Sequence, residues 1–332
     1  MRIALDAMGS DRAPAVEVEG AVGALRELDP NFQVVFVGDR GLIEAELGRH
    51  PDAPRDRIEI VHATQRIEVG EPPAQAIRRK SNSSIAIGLT LHKRGEVDAF
   101  ISAGSTGAVM AGSLMILRPL PGVDRPAIGT VLPTAEGYAL LIDAGANVDT
   151  RAHHLLQFAH LGTIYAQDLM GLASPRVGLL NIGEEPGKGD ERVVEAHQML
   201  SSSDHLHFIG NIEGRDVISG RSDVVVCDGF VGNVLLKFYE SVSGFIIGLL
   251  RRELDEKGME MDLQRIFRAL DYTEYGGAPL LGVNGVTIIC HGGSPPRAIR
   301  NAIRVAVQAV DRSMVEHIAR QLPAVAHRSA SA

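Results

Sequence analysis

The chain has 332 residues, 45% apolar and 22% charged, with a formal net charge of −8 at pH 7. That length holds one large α/β unit or two modest domains, and the composition excludes long disorder. The acidic balance argues against nucleic-acid binding, which needs basic surface to displace counterions.

Trp is absent and aromatics are only 4%, so the core must be built from Ala, Val, Leu and Ile, as in parallel α/β proteins. Neither Cys227 nor Cys290 shows metal-ligand spacing, and a reducing compartment is expected. The N-terminus enters a strand-like run without a leader pattern, which makes the cytoplasm the expected location. No apolar stretch is expected to span a membrane. The nearest, Val234–Leu250, is interrupted by Lys237 and Glu240.

In chain order, strands are expected at Ile3–Asp6, Gln33–Val37, Ile58–Val61, Ala99–Ser102, Val177–Asn181, His207–Ile209, Val224–Asp228 and Val286–Cys290. Helices are expected near 14–28, 40–48, 74–93, 105–117, 152–171, 190–201 and 295–320. Ala127–Leu132 and Ala139–Asp143 flank Pro133 to Gly137 and predict a hairpin. The alternation predicts an α/β fold with a mostly parallel sheet and helices on both faces. Residues 230–275 break it, with a long helix, a stop near Lys257-Gly258 and a shorter helix. Leu235, Phe238, Val242, Phe245, Ile246 and Leu249 form one stripe of the long helix, read first as core or dimer packing. The domain expectation is one unit over 1–325, including this helical hairpin, with a disordered tail at 326–332.

Several strands end in small or polar residues followed by glycine: Asp6-Ala7-Met8-Gly9, Ser102-Ala103-Gly104, Asn181-Ile182-Gly183, Asp228-Gly229 and His291-Gly292-Gly293. One such end is an ordinary turn; the set points to a ligand outside the carboxyl ends of the strands. The usual cofactor motifs are missing. Gly183 to Lys188 falls one residue short of a P-loop, no dinucleotide fingerprint follows the first strand, and no zinc motif occurs. No cofactor and no metal are therefore expected.

What remains suits an anion. Ser102, Gly104, Ser105, Thr106 and Gly107 end a strand and open a helix, where backbone N–H groups cradle a phosphate or Ser105 simply caps the helix. Arg78-Arg79-Lys80-Ser81-Asn82-Ser83-Ser84 sets cations before donors, either an anion site or a solvated helix face. Lys188 sits in a glycine-rich loop after a strand, and Asn233 opens the long helix. His291 follows the last strand. Cys227 is a candidate nucleophile only beside a cation or helix N-terminus, and a buried structural cysteine is the alternative.

These residues resemble a known family. Asp6-Ala7-Met8-Gly9-Ser10-Asp11-Arg12-Ala13-Pro14 is similar to its opening motif, with Ser10 and Arg12 where the family has Gly and His. Arg78–Ser83, Ser102–Gly107, Asp143-Ala144-Gly145-Ala146-Asn147, Ser174–Asn181, Asp228–Asn233 and Tyr275–Ala278 follow in the family's order; Ser105 stands where it has Asn. The chain is thereby identified as a member of the bacterial phosphate acyltransferases of phospholipid synthesis (PlsX).

That resemblance implies a three-layer α/β/α fold akin to phosphate acetyltransferases and isocitrate-type dehydrogenases. It implies transfer of a long-chain acyl group from acylated acyl carrier protein to inorganic phosphate, giving acyl phosphate for phosphatidic acid synthesis. It further implies a homodimer, peripheral contact with the inner membrane face, and a downstream glycerol-3-phosphate acyltransferase. Lys188, Asn233 and His291 are the candidate catalytic residues. Ser102, Gly104, Ser105, Thr106, Gly107, Asn82 and Arg79 are the candidate phosphate site. Arg251, Arg252, Lys257, Arg265 and Arg268 are the candidate patch for the acidic carrier protein. The rivals are a dehydrogenase recruiting Asp143 and Asp228 for a metal, an acyl-Cys227 mechanism, and a non-catalytic carrier- or lipid-binding scaffold.

Overall fold

The structure is a computed structural model that describes residues 1–28, 31–257 and 276–329. Its contacts gather into two compact units, Met1–Pro126 with Tyr275–Ala332, and Ala127–Glu274. The sequence reading takes 1–325 as one domain; each unit is described here by itself.

The first unit is built on β1 (Arg2–Asp6), β2 (Gln33–Gly38), β3 (Ile58–His62), β4 (Ala99–Ser102), β10 (Ala278–Leu281) and β11 (Val286–Ile289). Their spatial order is β3-β2-β1-β4-β11-β10. All neighbours run parallel except β10, which is antiparallel to β11. Ile3, Ala4, Leu5, Val34, Val35, Phe36 and Val37 are all fully buried, the continuous apolar run of strands covered on two faces. Around them lie α1 (Ala15–Glu27), α2 (Arg40–Leu47), α3 (Pro73–Arg79), α4 (Ser84–Lys93) and α5 (Thr106–Gly112). Near the C-terminus follow α9 (Pro296–Asp311) and α10 (Met314–Ser329).

The second unit holds β5 (Ala127–Thr134), β6 (Gly137–Ile142), β7 (Arg176–Leu180), β8 (His207–Ile212) and β9 (Val224–Val226), in the order β5-β6-β9-β7-β8. β5 and β6 form the expected antiparallel hairpin, and the other neighbours are parallel. Its helices are α6 (Ala152–Leu169), α7 (Glu191–Ser201) and α8 (Gly229–Lys257). Mostly parallel sheet with helices on both sides is the fold class the alternation predicts.

Four expectations change. The helix expected near 74–93 is two, because the Ser83 hydroxyl accepts from Ala86 N (3.3 Å) and caps a new start. The helix expected near 295–320 also breaks, with Ser313 at φ 51° between its halves. β10 is an additional strand; its short Ala-Pro-Leu-Leu carries a weak strand signal. Finally, Gly229–Leu254 is by length and composition alone long and apolar enough to cross a membrane, with only 6% of its most apolar window buried. Lys237 and Glu240, expected to interrupt it, lie within it and pair at 2.8 Å. Its stripe is not core in the single chain: Phe238 is 67% exposed and Phe245 65%. The second arm of the expected hairpin lies outside the described residues. The chain is helical to Ser329, within the tail expected to lack order, and 330–332 lie outside the described residues.

Candidate functional site

Both units place a buried aspartate where a strand gives way to a glycine-bearing loop. In the first unit Asp6 ends β1. Its Oδ1 accepts from Met8 N (3.0 Å) and its Oδ2 from the Ser102 hydroxyl at the end of β4 (2.7 Å). Ser84 also bonds this carboxyl. The Ser102 hydroxyl in turn accepts from Gly104 N at 3.0 Å. The two loops touch so closely that a Cβ on Gly9 would stand 2.6 Å from Gly104 N. Glycine at position 9 is thus what lets the β1 loop lie on the β4 loop.

Beneath the β1 loop lies Glu17 of α1, with 0% exposure. Its Oε1 accepts from Ser10 N at 2.8 Å, while Oε2 and the Ser10 hydroxyl are buried without a hydrogen-bond partner. Burial pushes the Glu17 carboxyl up to about 7, with Asp6 adding to the rise. Burial likewise raises Asp6, against the pull of its hydroxyl donors. Arg66 Nη2 donates to Ser10 O (3.2 Å), and Asp11 N to Gly292 O (2.9 Å), so the β1 loop also fixes the loop after β11. His291 is exposed on that loop, its Nδ1 accepting from Gly293 N at 3.2 Å.

The expected phosphate residues fall into distinct roles. Ser102 is fully buried and its hydroxyl is committed to Asp6 and Gly104, so it shapes the loop. Ser105 caps α5, accepting from Ala108 N at 3.4 Å. Gly107 packs against Pro73. The exposed Thr106 keeps a hydroxyl with no partner among the described residues. Lys80 pairs with Glu71 (2.6 Å) and donates to Arg66 O (2.8 Å), which locks the turn between α3 and α4. Arg78 and Arg79 stay exposed, while Asn82 N donates to Gln65 Oε1 (3.2 Å) and the Asn82 carbonyl accepts from Gln65 N (3.2 Å).

In the second unit Asp143 follows β6 and is fully buried. Oδ1 accepts from Ile128 N (3.0 Å), Gly145 N (3.1 Å) and Ala146 N (2.9 Å), and Oδ2 from Asn147 N (2.6 Å) and Nδ2 (2.9 Å). Burial raises this carboxyl, opposed by those donors. Gly232 lets α8 begin against it: a Cβ there would meet Asp143 O at 1.9 Å. Asp228, 6% exposed, accepts from Val231 N (2.9 Å) and from Arg192 Nη2 (3.0 Å). Arg192 also bonds Asp190 (3.0 Å) and Thr150 (3.1 Å). With its acceptor positions taken by N–H donors, Asp143 is unsuited to a metal, and Asp228 is committed to Arg192. The dehydrogenase rival loses its ligands.

Lys188 is exposed on the loop between β7 and α7. Its carbonyl accepts from Asn181 Nδ2 at 2.9 Å, and no described residue hydrogen-bonds or pairs with its ammonium. Asn233 is exposed beside the Asp143 loop, where a Cβ on Gly145 would stand 3.5 Å from its own. No hydrogen bond joins Lys188 to Asn233 among the described residues. Cys227 is 4% exposed and burial pushes its thiol well up, which favours the structural alternative. Arg252 is exposed on α8. The side chains of Arg251 and Lys257, and all of Arg265 and Arg268, lie outside the described residues.

Sequence reasoning places Asp6 and Asp228 in glycine-bearing strand ends and offers Asp143 and Asp228 only as ligands of the dehydrogenase rival. It missed Glu17 and Arg192. The usable signal was the strand-terminal aspartate itself, repeated at Asp6-Ala7, Asp143-Ala144 and Asp228-Gly229.

The profile of a family described as "Fatty acid synthesis protein" matches residues 1–317. The chain is 50% identical over 331 residues to a phosphate acyltransferase from Heliobacterium modesticaldum, covering 97% of this chain and 98% of that protein. It is 50% identical over 330 residues to one from Desulforamulus reducens, covering 97% of each. Among solved structures it is similar in fold to a phosphotransacetylase from Streptococcus pyogenes, with a TM-score of 0.62, 18% identity and 94% of each chain covered.

Proposed function

Because this chain belongs to the phosphate acyltransferase family and is an acyltransferase, we propose that it moves a long-chain fatty acyl group from acyl carrier protein to inorganic phosphate. The observation that carries the reading is the match, over nearly the full length, to proteins named for acyl transfer to phosphate. The product is an acyl phosphate, a precursor for phosphatidic acid.

The chemistry asks little beyond placement. Thioester and acyl phosphate are both activated, so the exchange needs no nucleotide. Phosphate attacks the thioester carbonyl directly in a ternary complex, and the protein stabilises the tetrahedral oxyanion as the carrier thiolate departs. Thr106 and Gly107 at the start of α5 hold the phosphate, with Arg79 and Asn82 in support. Lys188 supplies a cation without a carboxylate partner. Asn233 and His291 are the candidate donors to the oxyanion. The protonated, buried Cys227 is no nucleophile in this scheme. The basic residues of α8 and beyond dock the acidic carrier protein, and the exposed α8 stripe gives a homodimer or the inner membrane face a surface to cover.

The test is phosphate-dependent release of free carrier protein from palmitoyl carrier protein, with hydroxylamine present to trap the product. Release that rises with phosphate and yields palmitoyl hydroxamate is expected. Binding of the acylated carrier without release, at any phosphate concentration, would replace the enzyme by the scaffold reading.

A further inference from the structure

Lys188 owes its position to a loop with little packing of its own. Between β7 and α7, residues 182–190 are exposed except Gly183, whose bare backbone carries the Lys188 stem: a Cβ there would stand 3.1 Å from Lys188 Cγ. Hydrogen bonds must therefore set the path of the loop. Lys188 N donates to Glu185 O (3.1 Å), closing a turn, and Asn181 Nδ2 donates to Lys188 O (2.9 Å). A further bond comes from the sheet. Asn211 of β8, 1% exposed, donates from Nδ2 to the same Glu185 O at 2.8 Å.

The strand is shaped to bring Asn211 there. β7 and β8 pair Val177 with Phe208 and then Leu179 with Asn211, so β8 holds one extra residue between the two pairs. Gly210, at φ 94°, supplies the left-handed conformation at that bulge. In unbroken register Leu179 would pair with Gly210, and Asn211 would take the opposite face of the sheet. The amide is a poor device for stability alone: its Oδ1 is buried with no hydrogen-bond partner among the described residues, which offsets the bond that Nδ2 makes. What it provides is a carbonyl three residues before Lys188 that is tied to the sheet.

We propose that Asn211 is a positioning residue for Lys188, holding the 185–188 turn so that the ammonium stands where charge develops in the reaction. The inference rests on the role proposed above for Lys188 in acyl transfer and adds a residue that touches no substrate.

The experiment compares the wild type, Asn211→Leu, Lys188→Ala and the double variant. It reads transfer from palmitoyl carrier protein to phosphate, hydrogen exchange of the 182–190 segment, and thermal unfolding. Leucine resembles asparagine in shape but donates no hydrogen bond, and Glu185 O keeps Lys188 N as a donor, so unfolding should stay within a few degrees of the wild type. Asn211→Leu is expected to speed exchange of the segment and to lower kcat about tenfold with both KM values unchanged. In the double variant kcat should stay within about twofold of Lys188→Ala alone, because the two residues act through one ammonium. Asn211→Ala, which also lacks the donor, should repeat the pattern if leucine does not fit. Unchanged exchange, unchanged kcat, or losses that multiply in the double variant overturn the role. No transfer by the wild type overturns the acyl-transfer reading instead, and the exchange rates then decide alone whether Asn211 fixes the loop.

Discussion

Asp6 and Asp143 stand at the same kind of place, the end of a buried strand, yet their surroundings differ. Asp143 has its two oxygens taken up by five N–H donors, four of them from the backbone. The Asp143-to-Asn147 loop is thereby closed on itself. Asp6 is bonded by serine hydroxyls and one backbone amide, and beside it Glu17 Oε2 and the Ser10 hydroxyl are left over. The second unit thus spends its buried charge on a rigid loop that seats α8. The first keeps spare polar capacity, Glu17 Oε2 and the Ser10 hydroxyl, beneath the β1 loop. One sequence pattern, a strand-ending Asp-Ala with glycine close behind, serves two physical ends.

The largest effect expected from this contrast is on stability. Asp143→Ala strands buried N–H donors and should cost about 4 kcal/mol or more in chemical denaturation. Asp6→Ala, whose hydroxyl donors can rotate to other acceptors, should cost about 2 kcal/mol. Equal losses would erase the distinction.

Glu17→Gln sharpens the first-unit side. A carboxyl raised from 4.5 to about 7 by folding contributes stability that is whole below pH 4.5 and lost as pH rises through 7. At pH 8 the glutamine variant should therefore be more stable than the wild type by up to about 3 kcal/mol, with the advantage gone near pH 4.5. A difference independent of pH would mean the carboxyl carries no such linkage.

Lys188→Ala probes the cation of the second unit. Its exposed ammonium holds no described partner, so folding should be intact while turnover falls about 100-fold. Near-normal turnover would remove it from the chemistry. A smaller effect is expected from Arg251→Glu with Arg252→Glu: about tenfold weaker carrier binding at low salt and a flatter salt dependence. Unchanged binding would move the carrier surface elsewhere.

The strand ends were legible because β1, β4, β7 and β9 are short apolar runs stopped by a polar residue and glycine. The hairpin of β5 and β6 was legible from its turn. The break between α3 and α4 was not, because Ser83 can cap a helix or sit within one, and the helical period continues across it. The membrane-length character of α8 was missed because the apolar run was taken to start at Val234 and to break at Lys237 and Glu240, whereas the helix starts at Gly229 and runs unbroken through both. Ser105 held its bland role as a cap, and Cys227 its role as a buried thiol. The link between Ser10 and Glu17 was invisible, since seven residues of loop and helix separate them and only the fold brings the amide to the carboxylate. Arg192 was hidden in the same way, for Asp228 reaches it across 36 residues.

The central proposal is acyl transfer to phosphate held at the start of α5. The most direct test compares Thr106→Val with the wild type, reading phosphate KM, the KM for acylated carrier protein and thermal unfolding. The account predicts that Thr106→Val raises phosphate KM about tenfold with folding and carrier KM unchanged. An unchanged phosphate KM would contradict it.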